Sequence, residues 1–141
     1  MVSRLNVFVK STKSENKKIF KFNQNRHMMI NGVGVDIEST KKFKNVSSEF
    51  LNLVFTLKEI EYCKKKKEPH ICFAGKFCAK EAVIKSFSKK IFIKDIEIIN
   101  EEEGKPQVYI KREFKKNIQC SISHTNEYAI AYVINEMSNN G

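Results

Sequence analysis

Apolar residues along the chain fall into short periodic runs separated by charged or glycine-containing turns. Residues 29–37 are rich in branched side chains and contain two glycines, which predicts a β-strand that another backbone approaches closely. Over residues 47–63 the apolar positions have helical spacing with a break near Thr56, an expected N-cap followed three residues later by Glu59. Two successive helices are therefore expected here.

The strongest helical periodicity lies over residues 71–88. Phe73, Phe77 and Ile84 recur at the spacing of one buried helical face. The charge run at residues 64–67 indicates a solvated helix end and turn before this helix. A long amphipathic helix is therefore expected after that turn.

Short runs rich in strand-forming residues follow at 95–99, 107–110, 118–123 and 128–134. Strands that cluster after helices, with short links, predict an α+β fold with a mainly antiparallel sheet packed with helices. We expect one domain at residues 30–136, a basic N-terminal extension at 1–29 and a short tail at 137–141.

Positive charge narrows the possible partners. The chain has a formal net charge of +10, which predicts attraction to an acidic molecule. All but three basic residues are lysines, and lysine suits phosphates and carboxylates better than it suits hydrogen bonding to bases. An anionic cofactor or an acidic protein is therefore favoured over nucleic acid as the partner.

No apolar run approaches the roughly 20 residues that span a bilayer, so no membrane association is expected.

Cys63, Cys72, Cys78 and Cys120 form no paired CxxC spacing, and we expect four free thiols, buried as small apolar groups. A zinc site formed by His70, Cys72 and Cys78 is the alternative, but these residues lack the usual paired spacing of zinc ligands.

Three groups of residues can carry chemistry. Asp36 follows an apolar strand, where an acid is costly unless it is paired, hydrogen-bonded or bound to metal; a turn carboxylate is the alternative. A second group of four charged residues lines adjacent stripes on the side of the long helix opposite its apolar face: Lys76, Lys80, Glu81 and Lys85. An exposed Glu81–Lys85 ion pair is the ordinary explanation. The third, residues 121–125, offers hydroxyls and His124, with Ser121 and Ser123 on one strand face. A hydrolase would need an orienting acid as well.

Three segments in order, residues 32–38, 73–85 and 121–125, resemble those of holo-acyl carrier protein synthases. The resemblance spans roughly residues 31–134. It implies transfer of 4′-phosphopantetheine from coenzyme A to a serine of an acyl carrier protein. It also implies Mg²⁺ held by Asp36 and Glu81, with Lys85 stabilising the departing phosphate, and coenzyme A contacts from Lys76, Lys80, Lys85, Ser123, His124 and Thr125.

The resemblance further implies an acidic carrier protein as partner, a role in fatty acid biosynthesis and a homotrimer in which His124 of one subunit joins the metal acids of the next. Two departures stand out: residues 86–90 lack the family's glycine-rich turn, and Lys41, Lys42 and Lys44 stand where arginines are usual. An inactive docking homologue and a nucleic-acid-binding module are the alternatives.

The first 29 residues contain seven basic residues and one acid, Glu15. This composition is typical of organelle transit peptides, although an extension without a targeting role has the same features. The resemblance makes plastids and mitochondria possible locations, and the basic extension fits either. Because the chain is rich in lysine, asparagine and isoleucine, as is typical of an AT-rich genome, we expect an apicoplast-type plastid, with the cytoplasm as the second choice.

Overall fold

A computed structural model describes residues 29–138. Nearly all of the expected basic extension, and residues 139–141 of the expected tail, lie outside the described part. The strands are β1 (Ile30–Ser39), β2 (Ile96–Asn100), β3 (Pro106–Ile110), β4 (Glu113–Phe114), β5 (Ile118–His124) and β6 (Tyr128–Glu136). The helices are α1 (Ser48–Val54), α2 (Leu57–Lys64) and α3 (Pro69–Lys85), with short 3-10 turns at Thr40–Phe43 and Ile93–Asp95.

The strands form two antiparallel sheets, with strand orders β1-β6-β5 and β2-β3-β4. Helix α3 packs on one face of the first sheet and also touches β2, so it lies between the sheets. The predicted α+β class with antiparallel pairing is confirmed, but the strands divide into two sheets. The two-residue strand β4 was not predicted, because so short a strand has no alternation to detect.

Two glycines set the distance between β1 and α3. A Cβ atom on Gly32 would collide with the carbonyl oxygen of Ser86, and one on Gly34 would collide with that of Ala82. The predicted close approach of a second backbone is therefore confirmed. As a result, the end of α3 lies directly against the strand that carries Asp36.

The predicted break between the first two helices is also confirmed. The hydroxyl of Thr56 accepts from the backbone N–H of Glu59, and the Glu59 carboxylate accepts from the Thr56 N–H at 2.8 Å, which completes a capping box. Ser47 caps α1 by accepting from Phe50 N–H at 3.1 Å. Both helices therefore begin at side-chain caps.

Helix α3 is buried on more than one side. Phe73 is buried as predicted, and the small residues Ala79 and Ala82 let the helix sit close to the sheet. Lys76 and Lys80, however, are only 3% and 0% exposed. The expectation that the lysines of α3 form outer, solvent-facing stripes is therefore wrong for these two, because the second sheet and α2 cover that side of the helix.

The expectation of four free thiols is wrong for two of the cysteines. Cys63 of α2 and Cys72 of α3 form a disulfide across nine residues, while Cys78 and Cys120 are free and buried as expected. The charged turn after α2 brings the chain back on itself, which places the two helices side by side. The disulfide prevents Cys72 from acting as a zinc ligand, and residues 29–138 contain no group of three or more His, Cys, Asp or Glu side chains suited to a metal.

No helix in the described range is long and apolar enough to cross a membrane.

Candidate active site

Asp36 lies on β1 opposite Ala131 of β6, with its side chain mostly buried. Its Oδ1 accepts a hydrogen bond of 2.8 Å from the ammonium of Lys85. Its Oδ2 is buried and, alone among the buried side-chain nitrogen and oxygen atoms of residues 29–138, has no hydrogen-bond partner. The thiol of the neighbouring Cys78 donates instead to the carbonyl of Ala129 at 3.3 Å. An unpartnered carboxylate oxygen is costly to bury, so this atom indicates a place for a positively charged ligand.

Lys85 does not form the expected surface pair with Glu81. Its ammonium bonds instead to Asp36 and to the backbone carbonyl of Val35 at 3.0 Å, because the glycines of β1 bring that strand within reach of the end of α3. Glu81 therefore forms no salt bridge with any of the residues that the structure describes. The expected Glu81–Lys85 pair is replaced by a link between helix and strand.

Glu81 is half-buried and faces the same region as Asp36. Burial and the negative charges of Asp36 and Glu38 raise the pKa of Glu81, although the nearby ammonium of Lys85 lowers it. Two carboxylates from separate elements thus share one region. A divalent cation between them would remove their repulsion.

The two carboxylates fit Mg²⁺. This ion is usually held in proteins by one or two carboxylates, with water and substrate phosphate completing its coordination. The orphaned Oδ2 of Asp36 and the uncompensated charge of Glu81 supply such a set.

A cleft of about 420 Å³ lies between the turn that follows α2, the β2–β3 hairpin and β5. Lys76 and His124, which are distant in sequence, both line it. The remaining lining residues include Tyr62, Lys66, Cys72, Gly75, Asn100 and Ile122. Two of the predicted coenzyme A contacts are therefore together in one cleft.

Lys76 is held in the cleft wall by three groups. Its ammonium donates to the carbonyl of Ile98 at 2.5 Å and to Oδ1 of Asn100 at 2.8 Å, and it lies 4.7 Å from the ring centre of Tyr62. Burial lowers the pKa of Lys76 to about 8. Its charge has no carboxylate within salt-bridge distance in residues 29–138 and so remains available to an anion.

Lys80 lies beneath the cleft. Its ammonium is 2.7 Å from the carboxylate of Glu59 and donates to the carbonyl of Val54 at 2.7 Å. It does not line the cleft in this structure. The direct coenzyme A contact expected of Lys80 remains a prediction, and the structure gives this lysine a supporting position.

The end of β5 carries the third predicted segment. Cys120 is buried while Ser121, Ser123 and His124 are exposed, which confirms the predicted alternation up to the strand end. Thr125 accepts from two backbone N–H groups, those of Glu127 at 3.2 Å and Tyr128 at 3.1 Å, and so shapes the turn after the strand. Within residues 29–138 no carboxylate is bonded to His124, so the structure does not build the orienting contact that a hydrolase requires.

Sequence reasoning missed Tyr62 and Asn100 as parts of the cleft. Each is brought to the cleft by the fold of its own element, α2 or β2. Glu59 was predicted as a helix cap, and its second role as the buried partner of Lys80 was not expected. Capping boxes are common, so the sequence carries no signal for that role.

Comparison with known proteins places this arrangement in a family. Residues 32–133 match the model of the 4′-phosphopantetheinyl transferase superfamily. A holo-[acyl-carrier-protein] synthase of Halothermothrix orenii is 39% identical in an alignment of length 123 that covers 77% of this chain and 98% of the relative. That of Thermodesulfovibrio yellowstonii is 42% identical in an alignment of length 112 that covers 75% of this chain and 98% of the relative.

Solved structures agree. A holo-(acyl-carrier-protein) synthase from Bacillus anthracis, in complex with CoA (3′,5′-ADP), has a TM-score of 0.68 and 30% identity, covering 78% of this chain and 99% of its own. The holo-ACP-synthase from Plasmodium yoelii has a TM-score of 0.62 and 29% identity, covering 78% and 97%. The chain belongs to the 4′-phosphopantetheinyl transferase superfamily. Its relatives within that superfamily are holo-acyl carrier protein synthases, and it is a transferase of this type.

Proposed function

We propose that Asp36, Glu81 and Lys85 form the reaction centre of this transferase. The reaction moves 4′-phosphopantetheine from coenzyme A to a serine hydroxyl of an apo acyl carrier protein and releases adenosine 3′,5′-bisphosphate. The product is the holo carrier protein used in fatty acid biosynthesis. The observation that carries the assignment is the buried Oδ2 of Asp36, which has no partner and lies in the same charged region as Glu81 and Lys85.

Asp36 and Glu81 would hold Mg²⁺, and the bound ion would supply positive charge to the diphosphate of coenzyme A. Asp36 already orients Lys85 through the 2.8 Å bond to its ammonium. Because the Lys85 side chain is 51% exposed, its ammonium can also reach a ligand at the helix end. Its positive charge there would stabilise the negative charge that develops on the departing phosphate.

Coenzyme A would bind in the cleft that Lys76 and His124 line. The supporting observation is the Lys76 ammonium, which is held in place but has no carboxylate of its own among the described residues. As a point charge it suits a phosphate of the cofactor. Ser123 and Thr125 at the end of β5 are proposed as further contacts, and Lys80 as a contact or as a support from below.

The proposed docking site for an acidic carrier protein is the segment after β1. Lys41, Lys42 and Lys44 are exposed there, and Lys42 is paired with Glu38 at 2.7 Å. Exposed lysines attract an acidic surface and speed its approach without fixing its geometry as arginine would.

A homotrimer is proposed as the working assembly. On the outer face of the first sheet, Val35 lies opposite Tyr132 and Ile37 opposite Ile130, and all four side chains are 40% to 59% exposed. Contiguous apolar surface of this kind suggests an interface. In addition, Lys76 and Glu81 are five residues apart on α3 and so point about 140° apart around the helix, which suggests that the cleft and the carboxylates face different subunits.

Mixing of inactive variants tests the shared site. Glu81→Gln and His124→Ala proteins would be co-expressed with different tags, purified as mixed assemblies and assayed. Sites shared between subunits predict that some activity returns in the mixture, whereas sites complete within one chain predict none. Light scattering on Tyr132→Glu, which should yield monomers, tests the interface independently.

A plastid location is also proposed, with support from the basic composition of the first 29 residues. The experiment is to fuse those residues to a fluorescent protein in an apicoplast-bearing parasite. Plastid fluorescence is the expected result, and cytoplasmic fluorescence would overturn the proposal.

Mass spectrometry of apo carrier protein incubated with the enzyme, coenzyme A and Mg²⁺ tests the reaction centre. The wild-type enzyme should add one phosphopantetheine group only when Mg²⁺ is present. Asp36→Asn and Glu81→Gln should lose this activity, while Glu61→Gln, an exposed position on α2, should keep it. Mg²⁺-dependent activity that survives in both carboxylate variants would refute the proposed metal site.

A further inference from the structure

The open edge of the second sheet is anchored by two charged side chains. Strand β2 lies at the edge of the β2-β3-β4 sheet, and Ile98 at its centre pairs with Val108 on one side only. On the other side, the N–H of Ile98 donates to Oε1 of Glu59 at 2.8 Å, and its carbonyl accepts from Lys76 at 2.5 Å. One residue of β2 thus joins a carboxylate of α2 to an ammonium of α3.

Glu59 is fixed from several directions. Its side chain is buried at 1% exposure, and its Oε2 accepts from the Thr56 N–H at 2.8 Å and contacts the Lys80 ammonium at 2.7 Å. A buried carboxylate with three such partners is satisfied and rigid. The Ile98 peptide that it binds is therefore held at a defined place relative to α2 and α3.

The position of Ile98 matters to the cleft in two ways. Its carbonyl is one of the two hydrogen-bond acceptors of the Lys76 ammonium, and Asn100, the other acceptor, follows two residues later on the same strand. An ammonium has three N–H donors, so with two of them used by β2 the direction of the third is set by this strand. Displacement of β2 would redirect the charge that Lys76 presents to the cleft.

We infer that Glu59 is a positioning residue for coenzyme A recognition, acting through the Ile98 peptide on the Lys76 ammonium. The inference rests on the proposed function, in which Lys76 contacts a phosphate of coenzyme A. Glu59 itself is buried and does not line the cleft. Lys80 neutralises Glu59, which gives this buried lysine a role that requires no contact with the cofactor.

The negative charge of Glu59 also supports its role as a positioning residue for Lys76. Burial lowers the pKa of Lys76 to about 8, and the negative charge of Glu59 is the largest influence acting in the opposite direction. Loss of that charge would lower the pKa of Lys76 further and deprotonate it at a lower pH. The charged and titratable groups around Lys76 come from every element packed against it: Glu59 and Tyr62 of α2, residues 66–68 of the following turn, Lys80 of α3, Glu97 of β2, and Cys120 and His124 of β5.

The experiment compares Glu59→Gln with Glu61→Gln, an exposed position on the same helix. Glu59→Gln removes the charge and leaves one acceptor oxygen for the three donors that Glu59 now binds, so the Ile98 N–H must compete for it with the Thr56 N–H and the Lys80 ammonium. We expect the KM for coenzyme A to rise about tenfold, as for loss of one charge-assisted contact. The KM for carrier protein should stay within about twofold, and Glu61→Gln should match wild type.

The pH profile separates positioning from a general loss of structure. In wild type, the KM for coenzyme A should rise as the pH passes about 8, the pKa of Lys76. In Glu59→Gln that rise should begin at a lower pH. A variant that keeps the wild-type KM for coenzyme A and the wild-type pH profile would overturn the inference.

A double-mutant cycle shows whether Glu59 acts through Lys76. In a Lys76→Met background, Glu59→Gln should cause no further rise in the KM for coenzyme A, whereas additive effects would contradict the inference. If Glu59→Gln does not fold, Glu59→Gln with Lys80→Met removes both buried charges. This double variant should show the raised KM when Lys76 is present and no further rise in the Lys76→Met background, whereas loss of a direct Lys80 contact would raise the KM in both backgrounds. If Lys76→Met alone leaves the KM for coenzyme A unchanged, the proposed role of Lys76 fails instead.

Discussion

The ammonium of Lys85 is 2.8 Å from Oδ1 of Asp36, although the two residues are 49 positions apart in the chain. This bond satisfies one oxygen of the carboxylate and leaves the other, Oδ2, buried without a partner. A helix end and a strand are thus joined beside the two carboxylates that we propose as metal ligands. The glycines of β1 are what make that approach possible.

Asp36→Asn should therefore abolish the thermal stabilisation of the protein by Mg²⁺. We expect Mg²⁺ with coenzyme A to raise the melting temperature of wild type, because a ligand that binds only the folded state stabilises it. In Asp36→Asn, addition of Mg²⁺ should not raise the melting temperature. Its kcat should fall at least about 100-fold, as when a group that stabilises charge in the transition state is removed. Differential scanning fluorimetry with a Mg²⁺ titration measures the first effect, and a full Mg²⁺ response in the variant would contradict it.

The affinity for coenzyme A should depend on pH through Lys76. Its pKa is lowered to about 8 by burial, so the ammonium is charged below that pH and neutral above it. Binding of the anionic cofactor should be strong below about 8 and should weaken as the pH rises further. Isothermal titration calorimetry between pH 6.5 and 9.5 would measure this, with Lys76→Met as the control that should lack the step. A wild-type affinity that is constant across this range would contradict the prediction.

Local sequence patterns predicted most of the elements. The Thr56 capping box placed the break between α1 and α2, and the glycines of β1 predicted a close neighbour, because both signals depend on residues near in sequence. The division into two sheets had no such signal. It depends on which strands pair across the fold, and pairing partners are not encoded in the alternation of a single strand.

Those parts of the candidate site that lie in recognisable sequence motifs were predicted, and those that depend on packing were not. Asp36 and Glu81 stood out because the motifs around them are specific in order and spacing. The burial of Lys76 and Lys80 was not predicted, since a lysine on an amphipathic helix is normally exposed and only the packing of α2 and β2 against α3 covers these two. The Cys63–Cys72 pairing likewise depends on the turn between two helices.

Gly34→Ala should destabilise the fold strongly. A methyl group at this position would collide with the carbonyl oxygen of Ala82, and a backbone atom of a buried helix cannot move aside cheaply. We expect a loss of about 3 kcal/mol in the free energy of unfolding, measured by urea denaturation. Gly104→Ala is the matched control: its φ of +85° makes alanine unfavourable, but its Cβ would meet nothing within 4 Å, so only about 1 kcal/mol should be lost. Equal losses in the two variants would rule out the collision as the cause.

The disulfide between Cys63 and Cys72 predicts how many cysteines react with a thiol reagent before and after reduction. Protein unfolded without reductant should react with an alkylating reagent at two cysteines, Cys78 and Cys120, and at all four after reduction. Replacement of Cys63 and Cys72 by serine should lower the stability of the oxidised protein by about 2 to 3 kcal/mol, because the bridge closes a loop between two residues with a sequence separation of 9 in the unfolded chain. The same substitutions should change the stability of protein kept reduced much less. Four reactive thiols without reductant, in protein purified under air, would show that the two cysteines do not pair.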